Sequence, residues 1–216
     1  MTTLLKTAKF LIRPYSIMAI ILFLIASYYY FDRSIVHMLA THPALQLLYW
    51  LNLLTKFGNI YMYVMILSVL GCILHYCSQH KIWEQRVFFL LMCTIAPNII
   101  CLILKVIFSR ARPILWLQEH KYGFYWLKLH TEYWSFPSGH TTTIMGFVLG
   151  LSVLFPRHSY KFIALGILIA ISRIVLLKHY LSDVVIAMYL TLLEIGFLLY
   201  IMPKISWFNR LTGKQS

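Results

Sequence analysis

Six side chains in this sequence could together handle a phosphoryl group. His140 and His179 can attack or carry protons, Asp183 can orient an imidazole, and Lys105, Arg112 and Arg173 are cations. An imidazole titrates near neutral pH and has a second ring nitrogen free when the first is held. A guanidinium offers a planar fork of donors matched to phosphate, and an ammonium a mobile point charge. The six arrive in three short pieces. Residues 105–113 read K-V-I-F-S-R-A-R-P, residues 136–141 read F-P-S-G-H-T, and residues 172–183 read S-R-I-V-L-L-K-H-Y-L-S-D.

Each piece carries its own physical logic. Pro113 restricts the backbone just after Arg112. Ser138 stands where an apolar run begins and reads as a helix N-cap, with the free amides of the first turn available to an anion. Gly139 allows close approach of the backbone. His179 and Asp183 are four residues apart, the spacing that puts two side chains on one helical face. Their pairing carries weight because the chain has only two aspartates, Asp32 and Asp183. Taken singly, each cation also fits a topology charge at a membrane edge, and Pro-Ser-Gly fits ordinary loop-to-helix punctuation. Neither reading explains three cations and two histidines in one register.

The elements that must position these residues are written in the composition. The 216 residues are 61% hydrophobic and 12% charged, against about 25% charged residues in ordinary soluble domains. Apolar runs near the roughly 20 residues needed to cross a bilayer recur along the chain. The expected fold is all-α: a polytopic six-transmembrane-helix bundle with interfacial helices, residues 1–216 forming one membrane domain. The spans fall at about 15–31, 60–77, 86–108, 139–155, 160–177 and 181–202. Residues 1–14 suit a short interfacial helix. Residues 32–59 are read as a helix lying in the outer interface, with a helical hairpin dipping into the bilayer as the alternative. Pro97 is expected to kink the third span, with Asn98 satisfying backbone groups freed there.

The net charge of +13 sits mostly at the ends of apolar segments. That distribution points to topology and anionic lipid and away from nucleic acid. Cys72, Cys77, Cys93 and Cys101 lie inside the expected spans with no C-x-x-C pair, as small buried residues. Carboxylates are few and scattered and no H-E-x-x-H is present, so a metal-dependent hydrolase fits poorly. The positive-inside rule favours cytoplasmic termini for six spans. Lys105, Arg112, Ser138, Gly139, His140, Arg173, His179 and Asp183 then all reach the opposite membrane face, by hydropathy alone.

At these residues the chain resembles the type-2 phosphatidic-acid phosphatase superfamily, which also includes vanadium haloperoxidases. The family pattern is K-x6-R-P, P-S-G-H and S-R-x5-H-x3-D. It is met by Lys105 with Arg112-Pro113, by residues 137–140, and by Ser172-Arg173 with His179 and Asp183. The resemblance implies that His179 attacks phosphorus to form a phosphohistidine, oriented by Asp183. His140 would protonate the leaving oxygen and then activate water. Lys105, Arg112, Ser138, Gly139 and Arg173 would hold the phosphoryl oxygens, with no metal or cofactor.

A small, wholly membrane-embedded chain resembles the bacterial lipid phosphatases of that superfamily. The implied partners are the bilayer and a lipid phosphate substrate reached from the outer leaflet of the inner membrane. Lipid A, undecaprenyl pyrophosphate, phosphatidylglycerophosphate and phosphatidic acid are the candidates. The aromatic stretch 122–126 running to 135–143 is similar to lipid A phosphatases. A phosphotransferase using the same phosphohistidine satisfies identical motifs. A silent lipid-binding or transport protein predicts decay of at least one motif position, and no position has decayed.

Overall fold

The computed structural model describes residues 2–42, 49–77 and 81–202. Residues 43–48 of the 32–59 expectation lie outside the described residues, as do residues 78–80 and 203–216. All the long elements are helices: α1 (Thr2–Leu11), α2 (Pro14–Ala26), α3 (Asp32–Ala40), α4 (Tyr49–Lys56), α5 (Ile60–Cys77), α6 (Lys81–Phe108), α7 (Pro113–Glu119), α8 (Gly139–Leu154), α9 (Ser159–Val175) and α10 (Leu181–Ile201). The chain is an all-α polytopic membrane protein.

Among the described residues, four helices are long and apolar enough to cross a membrane, and a fifth follows if α4 and α5, bent 51° apart, form one span. Helix α8, at 16 residues, is apolar but shorter. Six crossings require both α8 and the bent pair to cross. α8 can be short because it is the best-wrapped helix, packed against α6, α9 and α10. Its buried Ile144, Val148 and Leu149 join Phe89, Ile169, Ile195 and Leu199 in the main core.

Gly146 makes the α6–α8 contact possible. A Cβ there would collide with the backbone carbonyl of Cys93. That carbonyl is the one left without its helical donor by Pro97, which has no N–H to give it. The sequence thus places a breaker on one helix and a glycine on its neighbour at the same level. Helix α6 stays continuous through Pro97, and the Asn98 amide donates to the Thr94 carbonyl at 2.8 Å.

The expectation for residues 32–59 is corrected over residues 32–40. α2 and α3 form one helix from Pro14 to Ala40, joined by the π-helical turn Ser27–Phe31, and α3 buries Asp32, Val36 and Leu39. A charged residue ends an apolar run by composition, but here the charge is satisfied inside the protein and the helix runs on. α1 is likewise more than an interfacial helix. Ala8 packs on Gly196 of α10 so closely that a Cβ on the glycine would collide with it.

The polar connection between α6 and α8 is built by backbone pairing. Its return stretch runs antiparallel to the end of α6, with Tyr125 N–H on Ser109 O at 3.1 Å and Ala111 N–H on Gly123 O at 3.0 Å. The Ser109 hydroxyl, which accepts from Lys128 N–H at 2.7 Å, locks that pairing. Arg110 and Arg112 are therefore set on a rigid ledge.

Candidate active site

The three pieces converge at one end of the bundle. Lys105 ends α6, and its Nζ donates to the Trp134 carbonyl at 2.8 Å. A Cβ on Gly139 would lie 3.4 Å from Lys105 Cε, an ordinary contact distance, so the lysine lies against the first turn of α8. Arg112 takes the N-cap position of α7, with Pro113 as the first helical residue. Arg173, in the last turn of α9, is buried and donates to the Thr55 hydroxyl from α4. His140 is half-buried beneath Gly58, where a Cβ would lie 2.8 Å from the imidazole.

The Nε atoms of Arg112 and Arg173 are buried without a hydrogen-bond partner. Neither arginine, nor Lys105, makes an ion pair among the described residues. Burial pushes the Arg112 guanidinium below its usual value, with Asp183 and Glu132 opposing. Buried cationic donors with no acceptor are costly unless an anion meets them.

His179 is 2% exposed. Its Nδ1 lies 2.8 Å from the Ser135 carbonyl and 3.7 Å from Asp183 Oδ2. A carbonyl only accepts, so Nδ1 carries the proton and the Nε2 lone pair is free. Burial pushes this imidazole down to about 3; Lys105 and Arg112 act in the same sense and Asp183 against them. The ring is neutral at neutral pH, the form a nucleophile needs.

Two expectations are corrected here. His179 is not on a helix: Tyr180 is the N-cap of α10, and the i to i+4 proximity comes from the turn before it. Asp183 consequently acts on the ring through space, while Ser135 sets the tautomer. Ser138 does hold the N-cap position of α8, but without a side-chain cap hydrogen bond. Its hydroxyl accepts from Thr141 Oγ1 at 3.0 Å, and its N–H donates to the Asp183 carbonyl at 3.1 Å. That last bond ties the P-S-G-H turn directly to the start of α10.

The sequence profile of the PAP2 superfamily matches residues 86–207, more than half of the 216-residue chain. The chain belongs to the PAP2 superfamily. Among curated relatives, a lipid A 1-phosphatase of Rhizobium johnstonii is 33% identical over 97 residues, 45% of this chain and 40% of that protein. A lipid A 1-phosphatase of Rhizobium etli is 33% identical over the same length, 42% of that protein. The match thus spans well under half the length of these relatives. No solved structure matches the chain.

Of the motif residues, Lys105, Gly139 and His140 line one wall of a cavity of about 530 Å³, while Arg112, Arg173, His179 and Asp183 lie outside its lining. Lys105, Trp134, Gly139 and His140 form its polar end, and Ile99 and Leu102 lie along it, both more than half exposed on a face that meets lipid. Motif reading alone missed the second rank of this PAP2 site. Ser135 holds His179, Thr55 and Gly58 cover Arg173 and His140, and Arg110 with Asp32 backs Asp183. The one signal pointing to Asp32 was that the chain has a single other aspartate.

Proposed function

We propose that this PAP2 protein is a lipid phosphatase of the bacterial inner membrane. It removes phosphate from a lipid phosphate or pyrophosphate through a phosphohistidine, with lipid A the leading substrate and the pocket facing the periplasm. The observation that carries the reading is the pair of arginines Arg112 and Arg173, whose Nε donors are buried and unpaired, at the same end of the bundle as a neutral His179. The cavity lined by Lys105, Gly139 and His140 supports a substrate with its tails in the bilayer and its phosphate at the polar end.

In this mechanism the Nε2 lone pair of His179 forms a bond to phosphorus. The bond from phosphorus to the lipid oxygen breaks, and His140 gives that oxygen a proton. Water then attacks phosphorus, passes a proton to His140, and the P–N bond breaks to release phosphate and neutral His179. Lys105, Arg112 and Arg173, with Ser138 and the Gly139 amide, stabilise the oxygens as charge develops. Asp183 stabilises the imidazole while it is cationic.

The test is phosphate release by purified protein in detergent with EDTA. The substrates are lipid A, undecaprenyl pyrophosphate, phosphatidylglycerophosphate and phosphatidic acid. Metal-independent release, fastest with lipid A and abolished in His179→Ala, is the expected result. Activity that survives in His179→Ala would sink the nucleophile assignment. Release only when an acceptor lipid is added would make the protein a phosphotransferase.

A further inference from the structure

Behind His179 lies a charged cluster in which the motifs assign a role to Asp183 alone. Arg110 is fully buried, as are Asp32 and Asp183. Its Nη2 donates to Asp32 Oδ2 at 2.8 Å, and its Nη1 donates to Asp183 Oδ1 at 2.6 Å. Ser182 closes the ring. Its hydroxyl accepts from Arg110 Nη1 at 2.6 Å and donates to Asp32 Oδ2, while its N–H donates to Asp32 Oδ1 at 3.0 Å. Ser27 adds a further donor to Asp32 Oδ1 at 2.9 Å. Tyr180, Tyr28, Tyr122 and Phe124 surround the guanidinium, the nearest ring centroid 4.4 Å from Cζ. On the other side, Asp183 Oδ2 accepts from Ser135 Oγ at 2.6 Å and Tyr180 N–H at 2.9 Å.

The geometry points to Asp32 as a positioning residue for the PAP2 reaction, acting on His179 through Arg110 and Asp183. The inference rests on the role of His179 proposed above. Asp32 lies on the N-terminal helix, outside the 86–207 segment that matches the family profile.

Charge bookkeeping explains why a second carboxylate is needed. Arg110 holds Asp183 in place, but a lone buried arginine would also neutralise it. Asp32 takes up the arginine's charge, so two carboxylates and one guanidinium leave the cluster at one net negative charge. When Nε2 bonds phosphorus and the imidazole becomes cationic, that negative charge is what it meets. Without Asp32 the cluster is neutral and the developing cation faces Lys105 and Arg112 unopposed. Arg110 itself stays charged throughout: burial works against it, and Asp183 and Asp32 outweigh that and push its pKa up.

The experiment compares wild type, Asp32→Asn and the double variant Asp32→Asn/Arg110→Gln in detergent. Calorimetry measures binding of orthovanadate, which takes the five-coordinate geometry of phosphoryl transfer on a nucleophile, and of inorganic phosphate, which does not. Melting curves and lipid A turnover are recorded alongside. In Asp32→Asn, vanadate affinity and kcat should fall about 10- to 100-fold, with phosphate affinity and KM within about threefold. The double variant restores one net negative charge and should recover part of the loss, which a purely structural role does not allow. Wild-type vanadate affinity in Asp32→Asn would overturn the inference. So would equal losses for both anions, failure of Asp32→Asn to fold, or a double variant weaker than the single one. If wild type itself binds no vanadate, the His179 reading and this inference fall together. Vanadate binding without lipid turnover removes only the lipid reading, and the variants still decide the inference.

Discussion

At the scale of single residues, the site is a set of groups held in the less usual of their two states. His179 is kept neutral with its proton on Nδ1, because a carbonyl is its nearest partner. Arg112 and Arg173 keep donors unpaired in a buried place, where donors otherwise find acceptors. The state of His179 has a consequence for stability against pH. Its folded value is depressed to about 3 from an ordinary value of about 6.5, so the unfolded chain binds a proton that the folded one refuses. This contribution is complete above about pH 6.5 and is lost as the pH falls toward the folded value. Melting temperature in detergent should therefore drop between about pH 6.5 and pH 4, and His179→Asn should show a shallower drop. An equally steep drop in the variant would assign the acid sensitivity to other groups.

At the scale of elements, two glycines do different jobs and should fail differently. Gly146 lets α8 meet the backbone of α6 at the Cys93 carbonyl. Backbone does not move as a side chain does, so Gly146→Ala must push two core helices apart, at a cost of about 1–3 kcal/mol. The expected result is a lower melting temperature, with catalytic rate per folded molecule little changed. Gly58 sits in the bend between α4 and α5, and a Cβ there meets the His140 imidazole. Gly58→Ala should leave melting nearly unchanged and lower kcat about tenfold or more, because His140, the proposed general acid, is displaced. If melting and turnover moved together in both variants, the α4–α5 bend would have no separate role in seating His140.

At the scale of the whole molecule, the packing decides which end of the bundle holds the chemistry. The loop holding Lys121 and the turn holding Arg157 are both exposed, and proposed orientation puts them on opposite sides of the membrane. In a cysteine-free background, Lys121→Cys in intact spheroplasts should react with an impermeant maleimide, and Arg157→Cys should react only after lysis. The reverse pattern would invert the molecule and put the pocket in the cytoplasm.

Much of this was legible in the sequence because it is encoded locally. The length of an apolar run determines that a helix forms and can span, and α5, α6, α9 and α10 stand where hydropathy put them. The hydropathy pattern placed Lys105, Arg112, His140, Arg173, His179 and Asp183 at one end of the bundle before any packing was known. Residues 32–40 were misread because a charge at the end of an apolar run looks like a boundary when its partner is invisible. That partner, Arg110, is remote in the chain, and pairing between distant side chains leaves no period to read. Arg110 and Arg112 stand two residues apart and are chemically the same in sequence. Only tertiary structure decides that Arg110 is locked between two aspartates while Arg112 makes no ion pair among the described residues. The same holds for His179, whose spacing to Asp183 suggested a direct bond. Residue type and spacing determined the chemistry that was available; the packing determined which donor met which acceptor, because burial makes each such choice costly to leave unmade.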